Sequence, residues 1–281
     1  MAARAENNDG TYDYSESMKL SPEEKARAIG IRAAIREDGR LKDSKISDFL
    51  CVQYALTAKP EECLERICDK AFLLQSFRKE YKICGSVEEG IELVNQYSLQ
   101  HPGNWLATEY IPFQKNYLVV QDLATFLPSE QVKTDEHKRI FLGAVYYQWN
   151  SQFPDFQAIR EGFSQLIECE GTNCSFLDPE LTEIAFEHFF KGYPLKPREV
   201  VFLNAPGIVN VWCGLWKRFL PTHEHNKYHL GLQLEGMEGR RIDVLYKCPN
   251  EEEARQRMVR NTGRFLRLRH RNEERFHLAS S

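Results

Sequence analysis

The most compact set of potential metal ligands in the chain is His223-Glu224-His225, with His229 a little beyond. A bound transition metal needs three or four nitrogen, sulfur or oxygen donors converging on one point. Here the set lies in a polar stretch ahead of an alternating run, and it reads as a solvated connection before a strand. Eight cysteines are scattered along the 281 residues, and the closest pairs, Cys63/Cys68 and Cys169/Cys174, have four residues between partners. A structural zinc site would use tighter knuckles in two matched halves, so the cysteines read as reduced thiols. The motifs of common catalysis are missing: there is no glycine-rich phosphate loop, no nucleophile elbow and no His-Glu-x-x-His. No cysteine is followed six residues later by an arginine, the spacing a phosphatase loop requires. The expectation is a protein that is not an enzyme and carries no metal or cofactor.

Composition fits a folded domain with a sizeable core: 42% hydrophobic and 28% charged residues. The net charge of -4 gives no whole-chain attraction to nucleic acid or to an anionic membrane, so any such contact must come from a local patch. The first twenty residues have no apolar core of a signal peptide, and no stretch approaches the roughly 18 apolar residues of a membrane span. Together with the reduced thiols, this leads to an expectation of a cytoplasmic protein.

The elements that would position any site change character along the chain. Residues 1–19 lack apolar periodicity and read as a mobile tail. Ser21-Pro22-Glu23-Glu24 is a helix start, with a serine cap, a first-turn proline and acidic residues at the positive dipole end. Helical patterns follow to about residue 100, giving a helical N-terminal domain over 20–100. From 101 to 250, strand-length runs at Tyr117–Val120, Phe163–Cys169, Glu199–Leu203 and Tyr228–Leu234 alternate with helical patterns at Asp135–Trp149, Pro179–Phe190 and Gly207–Leu220. That alternation predicts an α/β domain with a largely parallel sheet. Residues 251–281, with eight arginines between Arg255 and Arg275, read as a solvated basic tail. An amphipathic membrane-surface segment and a nucleic-acid patch are the alternatives weighed for it.

Local phrases narrow the fold. Gly192-Tyr193-Pro194-Leu195-Lys196, followed by Val201-Phe202-Leu203-Asn204-Ala205-Pro206, resembles the signature of the CRAL-TRIO lipid-binding family, the cellular retinaldehyde-binding and tocopherol-transfer group. Lys217-Arg218-Phe219-Leu220, His229-Leu230-Gly231 and the run from Gly162-Phe163 to Ile167-Glu168-Cys169-Glu170-Gly171 are similar to further family phrases. Asp69, Phe72-Leu73-Leu74 and Phe77-Arg78-Lys79 resemble its N-terminal helix. The phrases occur in family order over residues 69–232. Gly207 stands where the family has tryptophan, Glu168 where it has aspartate, and Gln75 and Glu80 where it has arginine. Gly236-Met237-Glu238-Gly239 replaces its closing phrase.

The resemblance implies a CRAL-TRIO fold, with a sheet floor and a helical gate enclosing one apolar ligand per chain, preceded by a small all-helical N-terminal domain. Periodicity independently puts Ile208, Val211, Trp212, Leu215, Trp216 and Phe219 on one helical stripe, which matches the family's gate. The facing wall would come from Phe141, Ala144, Val145 and Tyr147-Gln148, the floor from Leu118, Val120, Leu166, Val201 and Leu203, and a further side from Phe186, Phe189 and Phe190. The resemblance also implies that Lys196, Arg198 and Lys227, with Arg78 and Lys217 as additions, hold phosphoinositide headgroups. Lys and Arg supply the clustered donors that phosphate needs, although solvated surface charge is their commoner fate.

The expected function is binding and intracellular transfer of a retinoid, tocopherol or phospholipid by a monomer that docks transiently on phosphoinositide-containing membranes and binds no nucleic acid. The alternative is a non-transferring, lipid-sensing adaptor that docks a protein partner.

Overall fold

The computed structural model describes residues 17–100, 107–111, 116–122, 134–169, 191–194, 197–205, 207, 228–230 and 250–278. Helix α1, Pro22–Glu37, begins as the sequence predicts. The Ser21 hydroxyl accepts from the Glu24 amide, and the Glu24 carboxylate accepts from the Ser21 amide at 2.8 Å. This reciprocal cap satisfies two amides that have no partner inside the helix. Ala28, Ile31 and Ile35 form its buried stripe.

Helix α2, Asp48–Thr57, is buried at every position from Phe49 to Ala55, because α1, α6 and α7 all pack on it. Helix α3, Leu64–Glu80, buries Ile67, Cys68, Ala71, Leu74 and Phe77, and α4, Val87–Gln100, buries Val87, Gly90, Leu93, Val94 and Tyr97. Both sets recur at the three- and four-residue steps of one helical face. Beyond the sheet's first hairpin come α5, Asp135–Ser151, and the short α6, Phe156–Glu161.

A five-stranded sheet runs in the order β1 (Ala107–Ile111), β2 (Asn116–Asp122), β3 (Phe163–Glu168), β4 (Pro197–Leu203) and β5 (Tyr228–Leu230). The β1–β2 pair is antiparallel and the other three pairings are parallel. The expected parallel sheet is present, with an antiparallel edge strand that the sequence reading did not anticipate. Helices α5 and α6 supply the crossover from β2 to β3, since parallel neighbours need a long connection. Pro197 sits at the first position of β4, where a strand tolerates a missing amide hydrogen.

The expected basic tail over 251–281 requires correction. Residues Glu251–Arg275 form one helix, α7, capped by the Asn250 side chain. Ala254, Met258, Thr262 and Leu266 recur every fourth residue and are buried, and α7 packs on α4, α5, α2 and β1. Five of its arginines hold the opposite face: Arg260, Arg264, Arg267, Arg271 and Arg275 are exposed. A strongly basic segment is thus a structural helix, because one quarter-turn stripe of apolar contacts suffices to dock it.

The core is continuous across these elements. Ile31, Phe49, Phe77 and Tyr97 share one buried cluster with Phe141, Phe153, Phe156, Tyr193, Val201, Met258 and Leu266. The boundary drawn at residue 100 falls just ahead of the first strand, but the core runs across it.

Candidate functional site

The strand register determines which positions share a face of the sheet. Ala107, Val120, Leu166, Val201 and His229 fall in one row across all five strands. Leu118 and Leu203 lie two residues away along β2 and β4, hence on the same face. All five strand positions expected to floor a ligand cavity are therefore on one face. Val200 and Phe202, on the other face of β4, are fully buried, as is Ile167 on β3. At the end of β4, Asn204 takes a left-handed conformation, φ 49°, which asparagine tolerates better than most residues. The ladder between β3 and β4 shifts register at Phe163/Ser164 and skips Arg198.

Phe141 packs edge-on against Tyr97 of α4, with ring centroids 5.7 Å apart, and Val145 lies against the same core. Helix α5 is apolar nearly all round, and α4 covers the face that carries Phe141. Val201 also joins this common core. Phe186, Phe189, Phe190, Ile208, Val211, Trp212 and Leu215, together with Lys196, Lys217 and Lys227, lie outside the described residues. So do His223, Glu224 and His225. Among the described residues no three metal-ligating side chains come together, and no helix is long and apolar enough to cross a membrane.

The Gly192-Tyr193-Pro194 phrase gains a physical account. The Tyr54 hydroxyl donates to the Gly192 carbonyl at 2.9 Å, and Gln53 Nε2 donates to the Pro194 carbonyl at 3.2 Å. The Tyr193 hydroxyl donates to Asn150 Oδ1 at 2.7 Å. A Cβ on Gly192 would lie 3.1 Å from the Leu74 amide nitrogen and 3.2 Å from the Lys70 carbonyl oxygen, so only glycine lets the segment lie against α3. The phrase is a clamp between the helical layer and the start of β4.

Arg78, expected among headgroup ligands, lines a cavity of about 80 Å³ bordered by α3, α5 and α7. Its Nη2 donates to the Cys84 carbonyl at 3.1 Å and its guanidinium lies 6.0 Å over the Tyr146 ring, while its buried Nε has no hydrogen-bond partner. Gly85, at φ 90°, gives way to it: a Cβ there would sit 2.5 Å from Arg78 Nη2. Glu89 fixes the loop by accepting from the Cys84 and Gly85 amides and from the Tyr147 hydroxyl. Burial pushes the Glu89 carboxyl upward, but the bonds from Tyr147 and Cys84 outweigh it and hold the group below the usual carboxylate range.

Two further cations border this cavity that no local sequence pattern singled out, Lys45 and Arg269. Arg269 is buried; it donates to the Phe153 carbonyl at 2.9 Å and to Gln53 Oε1 at 2.8 Å, and it stacks 4.8 Å over Phe49. Residues 78 and 269 are brought together only by the docking of α7.

No family model matches the chain. No curated protein matches it either. Among solved structures, the crystal structure of Sfh5 is similar at 12% identity, covering 75% of this chain and 82% of that one with a TM-score of 0.48. At that score the overlap is partial, and the fold rests on the strand order and register given above.

Proposed function

We propose that the chain binds one apolar molecule of the retinoid, tocopherol or phospholipid class and carries it between membranes. The observation behind this reading is the gathering of Leu118, Val120, Leu166, Val201 and Leu203 on one face of a mostly parallel sheet, with the signature phrases falling at its strand ends. An occupant burying about 400 Å² would gain roughly 10 kcal/mol at about 25 cal/mol per Å². Ordering costs of several kcal/mol leave an affinity between micromolar and nanomolar. No covalent step is needed. Lys196, Arg198 and Lys227, with Lys217, would meet phosphoinositide headgroups at the membrane.

A fluorescent lipid titrated into wild type and Leu203→Asp tests the reading. A charge at that floor position, without a partner, should abolish binding. Normal binding by a folded Leu203→Asp protein removes the floor assignment. For the docking surface, charge reversal at Lys196 and Arg198 should weaken recruitment to phosphoinositide vesicles and leave binding from detergent intact. A second reading, a lipid-sensing adaptor that does not transfer, is favoured by the packing of Phe141 and Val201 into the common core, which narrows the space available to a mobile ligand. Movement of lipid between vesicles separates the two.

A further inference from the structure

Among the described residues, the side chains that line the cavity between α3, α5 and α7 carry more positive than negative charge. Lys45, Arg78 and Arg269 border it, against the single carboxylate of Glu273, which accepts from the Ser47 hydroxyl. His270, also at the rim, is turned to Glu274 at 3.3 Å. Arg269 is buried with only neutral acceptors, a carbonyl and an amide oxygen. A guanidinium removed from water without a counter-charge is costly. Arg78 leaves its buried Nε without an acceptor. Tyr146, buried at the same cavity, makes no hydrogen bond through its hydroxyl among the described residues. Lys45 is exposed at the mouth and forms no ion pair among the described residues. Among the residues lining the cavity, three cations against one carboxylate leave two net positive charges, beside the unused Tyr146 hydroxyl.

We infer that this cavity is a binding site for a phosphate group, either inorganic phosphate or a phosphomonoester. A phosphate carries between one and a half and two negative charges near neutral pH and several strong acceptor oxygens, which matches the charge excess and offers an acceptor to the Tyr146 hydroxyl. Arginine is suited to such an oxyanion because its planar fork offers paired donors. A volume of about 80 Å³ admits a group of this size. The site is separate from the sheet face and does not depend on the lipid reading. Because α7 contributes Arg269 and Glu273 while α3 contributes Arg78, an occupant would also tie the C-terminal helix to the helical layer.

The test is a titration of the full chain with inorganic phosphate against chloride at equal ionic strength, read by calorimetry and by melting temperature. Saturable binding with a rise in melting temperature is expected. Arg78→Gln and Lys45→Gln should each weaken it about tenfold or more, the worth of a hydrogen bond to a charged group. Lys45→Gln should leave the melting temperature without phosphate unchanged, so it remains informative if Arg78→Gln does not fold. Competition by glycerol phosphate would identify a soluble ester as the source. Competition only by vesicles containing a phosphorylated inositol lipid would identify a headgroup. Either outcome upholds the site. Absence of any effect of phosphate beyond that of chloride, or equal binding by wild type and Lys45→Gln, overturns it.

Discussion

Arg160 grips Glu24 through two hydrogen bonds, Nε to Oε1 at 2.8 Å and Nη2 to Oε2 at 2.7 Å. The same carboxylate accepts from the Ser21 amide at the start of α1, so one side chain closes a helix end and ties it to α6, directly ahead of β3. The Arg160 bond, with Ser21 and against the opposing effect of burial, holds the Glu24 carboxyl down to about 2 from an ordinary value of 4.5.

That depression sets a pH dependence. A carboxyl whose folded value lies below its unfolded value contributes stability that is complete above about 4.5 and lost as pH falls toward 2. The pair is partly exposed, so solvent screening limits its contribution to about 1 kcal/mol. Urea midpoints should fall in wild type over that pH window, and the fall should be smaller in Glu24→Gln. Parallel pH profiles for the two proteins would show that the bond contributes nothing.

A substitution at Gly90 reports on the docking of α7, with Gly30 as a control. A Cβ on Gly90 would meet Tyr147 Cδ1 at 2.6 Å and Leu266 Cδ1 at 2.8 Å, whereas Gly30 has nothing within 4 Å. Gly90→Ala should therefore cost about 1–3 kcal/mol by overpacking. Gly30→Ala should gain up to about 1 kcal/mol from helix propensity. Chemical denaturation measures both. A neutral Gly90→Ala would mean that α7 does not lie against α4.

Phe141→Ala separates core from ligand wall. Packed on Tyr97, Phe141 should cost about 3 kcal/mol of stability when truncated. Lipid affinity of the folded fraction should change by less than about threefold, under 1 kcal/mol. A large loss of affinity with stability intact would return this residue to the ligand wall.

The parts legible in the sequence were those with local causes. Ser21 and Glu24 are three residues apart, so the capping box shows in the sequence itself, and β2 to β5 announce themselves as short apolar runs. The apolar positions of β2, β3 and β4 could be assigned to one face because a strand alternates with period two. What escaped depends on distant partners. In α7, eight arginines outweigh a thin stripe at Ala254, Met258, Thr262 and Leu266, although its four-residue step was present to be found. Helix α5 is apolar on several faces, so periodicity could not say which face meets α4. Lys45, Arg78 and Arg269 converge from three segments, and no spacing within any one of them signals it.

The proposal that Ile208, Val211, Trp212 and Leu215 belong to a gate leads to a dynamic prediction, since a gate must open without global unfolding. Amides from Ile208 to Phe219 should exchange faster than those of β4 in the ligand-free protein and slow on lipid loading. Equal protection in both states would make the segment ordinary core.

Native mass spectrometry of the protein purified from its own host, with organic extraction of what travels with it, tests lipid binding most directly. A single apolar molecule should be bound per chain and lost in Leu203→Asp. A bare polypeptide mass from folded wild type, with no uptake of lipid from vesicles, would contradict it.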